Sequence, residues 1–179
     1  MEVTITTLKK EHLKNIFQLI RKTVESTFQR EGFTDVEIMN GEIDRINKRF
    51  ETLAENSGES KVLVALVNTR VVGTIGIDKL SESFLKIFKK TKLKVDGQKI
   101  IEICLVYVLP EYQGQRIATK LINQIFEYIK SNKYSYYALY SGYADTIPIW
   151  RKFFGEEKCM LKSYFADAAD CYIWLNKIN

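Results

Sequence analysis

The sequence predicts a mixed α/β fold, one sheet with helices on both faces, and three observations lead there. Strand-like and helix-like stretches follow one another in the order strand, two helices, three strands, helix, strand, helix, two strands. No repeat or linker divides the 179 residues, so a single domain over 1–179 is expected. Hydrophobic residues make up 46% and charged residues 27%, which supplies a core and excludes the disordered class.

Each element has its own signal. Val3 to Leu8 alternates β-branched and polar residues and reads as a strand. Leu13, Ile16, Phe17, Ile20, Val24 and Phe28 then recur at helical spacing, giving an amphipathic helix over Lys10 to Gln29. After the break at Gly32, Ile38, Ile43, Ile46, Phe50, Leu53 and Ala54 mark a second helix, which Asn56-Ser57-Gly58 ends. Val62–Val67 and Val71–Ile77 form a hairpin about Asn68-Thr69-Arg70. Residues 79–98 read as a Lys-rich insert, with room for one helical turn around Phe84, Ile87 and Phe88. Ile100 to Val108 is an apolar strand stopped by Pro110, and Ile117, Leu121, Ile122, Ile125, Phe126 and Ile129 place a long helix from about Gly114 to Ser131. A strand at Tyr136–Tyr140, a short helix at Thr146–Phe153 and strands at Met160–Phe165 and Cys171–Leu175 complete the chain.

Composition removes several chemistries. Cys104, Cys159 and Cys171 have no Cys-x-x-Cys spacing and His12 is the single histidine, so no metal site and no histidine-based catalysis are expected. No apolar run is long enough for a membrane span, and Met1–Ile5 lacks a signal-peptide pattern, so a cytoplasmic protein without membrane contact is expected. Charge is uneven: residues 25–59 carry a net −5 and residues 60–100 a net +6. The basic block at Lys86, Lys89, Lys90, Lys92, Lys94 and Lys99 lacks arginines, and a solvated insert explains it better than nucleic-acid binding. Carboxylate, tyrosine and backbone groups are left to carry any catalysis.

Val108-Leu109-Pro110-Glu111-Tyr112-Gln113-Gly114-Gln115-Arg116-Ile117-Ala118 is the most informative stretch. A strand end, a glycine-containing loop and a helix N-terminus succeed one another there, presenting unpaired amides and a positive dipole end to a phosphate. Glu102 interrupts the apolar run Ile100–Leu105, where an unpaired carboxylate is costly and where burial favours proton uptake. It reads either as a general base or as a structural carboxylate on an edge face or beside a buried cation.

The loop resembles the acetyl-CoA signature of the GNAT superfamily of N-acetyltransferases, Gln/Arg-x-x-Gly-x-Gly/Ala after a strand ending Val-x-Pro. Gln113, Ile117, Ala118 and Val108-Leu109-Pro110 fit, while Arg116 stands where the first of the two glycines is commonest. The resemblance implies a mostly antiparallel mixed sheet of about seven strands flanked by about four helices. It implies acetyl-CoA as cosubstrate without a metal, the main chain of Val106, Tyr107 and Val108 along the pantetheine arm, and Gly114, Gln115, Arg116, Ile117, Ala118 and Thr119 around the pyrophosphate. Glu102 lies eleven residues before Gln113, the family's spacing for a catalytic glutamate. Tyr143 to Gly155 is similar to the family's second signature, with Trp150 in place of the tyrosine that protonates the departing thiolate. Indole N–H is too weak an acid for that task, which makes Tyr143 the leading substitute, ahead of a core-facing Tyr140. The implied activity is acetyl transfer to a primary amine on a small molecule, polyamine or protein, by a monomer or homodimer. Its alternative is a non-catalytic acyl-CoA-binding sensor.

Overall fold

The computed structural model describes residues 2–55, 58–94, 99–132, 134–166 and 169–178. Its strands are β1 (Thr4–Thr7), β2 (Lys61–Val67), β3 (Arg70–Asp78), β4 (Ile100–Val108), β5 (Tyr136–Ser141), β6 (Cys159–Ala166) and β7 (Ala169–Lys177). They form one sheet ordered β1-β2-β3-β4-β5-β7-β6. The α-helices among the described residues are α1 (Leu13–Glu31), α2 (Val36–Glu55), α3 (Glu82–Lys89), α4 (Ile117–Ser131) and α5 (Ile147–Phe154). The β4–β5 pair is parallel, while β1–β2, β2–β3, β5–β7 and β6–β7 are antiparallel, so the sheet is mixed as expected. Contacts group the chain into two compact units, Met1–Ile77 with Cys104–Tyr128 and Asp78–Ile103 with Ile129–Asn179.

In the first unit, β2 and β3 meet at a tight turn where Asn68 takes φ 55, a left-handed conformation that asparagine tolerates. Ile16, Leu19, Ile20 and Val24 of α1 are buried, as are Ile43, Ile46, Phe50 and Leu53 of α2. Apart from Leu19 these belong to the stripes that helical spacing marks in the sequence. Ile38, expected on the apolar side of α2, instead lies in its first turn and is 64% exposed. The first helix starts at Leu13, after a 3-10 turn over Lys10–His12, rather than at Lys10. The buried His12 causes the difference, because its Nδ1 accepts the Lys9 N–H at 3.1 Å and tightens the entry. Asn56 and Ser57, expected to end the second helix, lie outside the described residues.

Two details of this unit fix the strand that precedes the loop. Leu105 takes φ 53 within β4, and its carbonyl accepts the buried Thr74 hydroxyl at 2.7 Å. Gly73 of β3 faces α4 so closely that a Cβ there would lie 3.0 Å from Ile117 Cγ2, 3.2 Å from Leu121 Cδ1 and 3.2 Å from the Tyr107 carbonyl. A side chain there would press on the Tyr107 main chain and on two buried side chains, so glycine suits this close approach.

In the second unit, Ile100–Glu102 of β4 run parallel to Tyr136–Ala138, and β5 continues antiparallel to β7. Trp174 of β7 is fully buried and its Nε1–H donates to the Gly155 carbonyl at 2.8 Å. The Lys-rich insert holds more structure than one turn: residues 82–89 form α3, so five helices stand where about four were expected. Ser81 Oγ caps it by accepting the Phe84 N–H at 3.1 Å, and Phe84 and Ile87 bury one face, while Lys86 and Lys89 occupy the last turn, where the helix dipole favours cations. Residues 95–98 of the insert lie outside the described residues. No helix among the described residues is long and apolar enough to cross a membrane.

Candidate functional site

The first unit carries the loop. Val106, Tyr107 and Val108 end β4 half-buried, and the Val108 carbonyl accepts Gln113 Nε2–H at 3.1 Å, so the glutamine side chain folds back on the strand. A 3-10 turn over Pro110–Tyr112 follows, in which Glu111 accepts from Arg70 at 2.9 Å and lies 3.5 Å from Lys22. A main-chain hydrogen bond at Glu111 itself, helped by Arg70 and Lys22, holds this carboxyl below its ordinary pKa. Gly114 then takes φ 74 and Arg116 takes φ 60. The α4 ladder starts with Lys120 N–H on the Arg116 carbonyl at 3.0 Å. The amides of Ile117, Ala118 and Thr119 therefore precede the first intrahelical bond and point from the positive end of the helix. Arg116 adopts the left-handed conformation that a glycine takes without strain.

The second unit holds the two titratable candidates. Glu102 is 3% exposed, and its Oε2 accepts the Ser81 main-chain N–H at 2.7 Å. One of its partners is thus a main-chain amide at the α3 cap. Tyr143 is half-buried at the start of a 3-10 turn before α5; its carbonyl accepts the Thr146 hydroxyl at 2.8 Å, and its N–H donates to Ser141 Oγ at 3.4 Å. Trp150 is stacked on Phe154 at 5.8 Å with 14° between the rings, so its indole packs within α5. Tyr140 contacts the core ring Phe84 at 5.6 Å, the inward placement that strand alternation suggests.

The acetyltransferase (GNAT) family matches residues 14–155, most of the chain. The chain belongs to the GNAT acetyltransferase family. Its fold is also that of solved GNAT structures. The PaiA N-acetyltransferase of Thermoplasma acidophilum in complex with coenzyme A is 16% identical, with 99% of each chain covered and a TM-score of 0.71. An N-acetyltransferase of Staphylococcus aureus Mu50 is 18% identical over 100% of both chains at 0.69. The ribosomal-protein-S18-alanine N-acetyltransferase of Escherichia coli is 14% identical, covering 99% of this chain and 95% of its own, at 0.65. No curated protein sequence matches the chain.

Beside the GNAT loop, three supporting residues escape a reading of sequence alone: Thr74, which holds the Leu105 carbonyl, Gln113 in its side-chain role, and Ser81, which joins Glu102 to α3. Only Ser81 has a local signal, a serine three residues before the first buried residue of a short helix. Among the described residues no group of three His, Cys, Asp or Glu gathers as a metal would need.

Proposed function

We propose that this GNAT protein, acting as one domain over 1–179, moves an acetyl group from acetyl-CoA to a primary amine by direct aminolysis. The observation that carries the reading is the loop Gln113–Thr119, whose left-handed Gly114 and Arg116 lead into the unpaired amides of Ile117, Ala118 and Thr119. These amides, with those of Gly114, Gln115 and Arg116, suit a pyrophosphate, and the exposed Arg116 guanidinium adds a charge-assisted partner. The main chain of Val106, Tyr107 and Val108 lies along the pantetheine arm.

In the reaction the amine nitrogen attacks the thioester carbonyl, strand amides near Val106–Val108 hold the oxyanion, and Glu102 takes the ammonium proton directly or through one water. The C–S bond then breaks, and Tyr143 donates its phenolic proton to the leaving thiolate. The stacking of Trp150 on Phe154 favours the second reading, an acyl-CoA sensor without turnover, because it removes the family's usual acid position from catalysis. Thiol release over a panel of amines, paired with calorimetric acetyl-CoA titration, separates the two. Release with at least one amine supports transfer, whereas binding without release supports the sensor. Unchanged CoA affinity in Gly114→Pro, which cannot adopt a positive φ, would remove the loop assignment.

A further inference from the structure

The face of the second unit that carries Glu102 continues into an aromatic surface. Glu102 stands opposite Ala138, and Tyr140 follows two residues later on the same face, about 7 Å along the strand. Tyr140 stacks on Phe165 at 6.2 Å with 25° between the rings, and Phe165 meets Tyr164 edge-on at 5.1 Å. Lys90, at the end of α3, sets its ammonium 4.9 Å above the Tyr164 ring.

Phe165 is 49% exposed and yet tightly held. A Cβ at Gly142 would lie 2.6 Å from two of its ring atoms, so the ring rests directly on the glycine main chain. The strand is built to present it: between Leu161↔Cys171 and Ala166↔Ala169, β6 advances five residues against two of β7. Ser163 takes φ 48 inside this bulge and donates its N–H to Asp170 Oδ1 at 2.9 Å. Such bulges re-aim side chains out of a ladder. An exposed ring fixed by two aromatic neighbours and a glycine is a platform for a planar or apolar group. Lys90 thus sets a cation at the edge of this platform, while the nearby Asp170 carboxylate is engaged by the Ser163 N–H.

We infer that the acceptor is the N-terminus of an extended peptide, with an aromatic side chain on Phe165 and an acidic side chain at Lys90. This rests on the acyl-transfer reading above, with the amine at Glu102. Length argues for a peptide over a free amino acid: from the Ser81 cap beside Glu102 to Lys90, α3 advances about 13 Å at 1.5 Å per residue, the reach of about four extended residues. Charge argues against polyamines, because the Lys90 ammonium beside the rings repels a cation and favours a carboxylate.

The test compares kcat/KM for the peptide Ala-Ala-Phe-Glu with Ala-Ala-Ala-Glu, Ala-Ala-Phe-Lys and spermidine, using the full chain and acetyl-CoA. The first peptide is expected to exceed the others by about tenfold or more. Phe165→Ala should remove most of the aromatic preference through KM, and Lys90→Glu should reverse the preference for Glu over Lys, both with unchanged calorimetric acetyl-CoA affinity. Preferred turnover of spermidine, or peptide selectivity that survives both substitutions, overturns the inference and leaves acetyl transfer standing. Acetyl-CoA binding without thiol release from any amine overturns the transfer reading, and the inference falls with it.

Discussion

Replacing Gly114 by alanine isolates the backbone geometry of the phosphate loop from every other effect. Gly114 has φ 74, and a Cβ built there meets no atom within 4 Å. The substitution therefore adds no clash and leaves every charge in place; it adds only the cost of a left-handed L-residue, about 1–2 kcal/mol. That cost divides between folding and binding. If the variant loop keeps its path, the loss appears as stability, and for a chain of this size it lowers Tm by about 2–8 °C. If the loop relaxes instead, stability is spared and acetyl-CoA must restore the native path, weakening binding by about five- to thirtyfold. Thermal unfolding and calorimetric titration on the same preparation give both shares, and they should total about 1–2 kcal/mol. A variant with both Tm and acetyl-CoA affinity at wild-type values would refute the assignment of strain, and of phosphate, to this loop.

Three other perturbations have defined outcomes. Glu102→Gln keeps an oxygen for the Ser81 N–H and should retain the fold and acetyl-CoA affinity, losing turnover most at low pH; a pH–rate profile matching wild type would place the base elsewhere. Tyr143→Phe should lower kcat by about tenfold or more, and an unaffected rate would reduce the residue to a wall of the pocket. Burial, and secondarily the neighbouring Cys159, pushes the Cys171 thiol up to about 12, so it stays protonated near neutral pH. Iodoacetamide mapped by mass spectrometry at pH 8 should spare Cys171 in the folded protein and label it in denaturant; labelling in the native state would refute that burial.

Legibility in the sequence follows the range of the forces involved. Long amphipathic stripes such as Ile16–Val24 and Ile43–Leu53 state their burial through local spacing, and the strand–loop–helix at Val108–Ala118 states its junction through proline, glycine and the change of period. The insert was harder to read, because five lysines over residues 86–94 dominate a stretch in which Phe84 and Ile87 alone commit the helix to the core. Glu102 shows the limit most clearly. Its place in an apolar run marks it as unusual, but its partner is a main-chain amide twenty-one residues away, and amides carry no identity in a sequence. The bulge at Ser163 is equally silent, since nothing in Lys162–Phe165 spells a left-handed residue.

The close seat of α4 on Gly73 bears on how the cosubstrate is met. Ile117 and Leu121 are both fully buried, and no atom-sized gap separates them from the glycine and the Tyr107 carbonyl. The first turn of α4 is thus positioned by excluded volume, and its amides are ordered as a by-product of core formation. A phosphate arriving there meets dipoles already aligned, so little rotational freedom is lost at the moment of capture. Affinity can then be tuned by charges at the rim, such as Arg116 and Lys120, without rebuilding the seat beneath them.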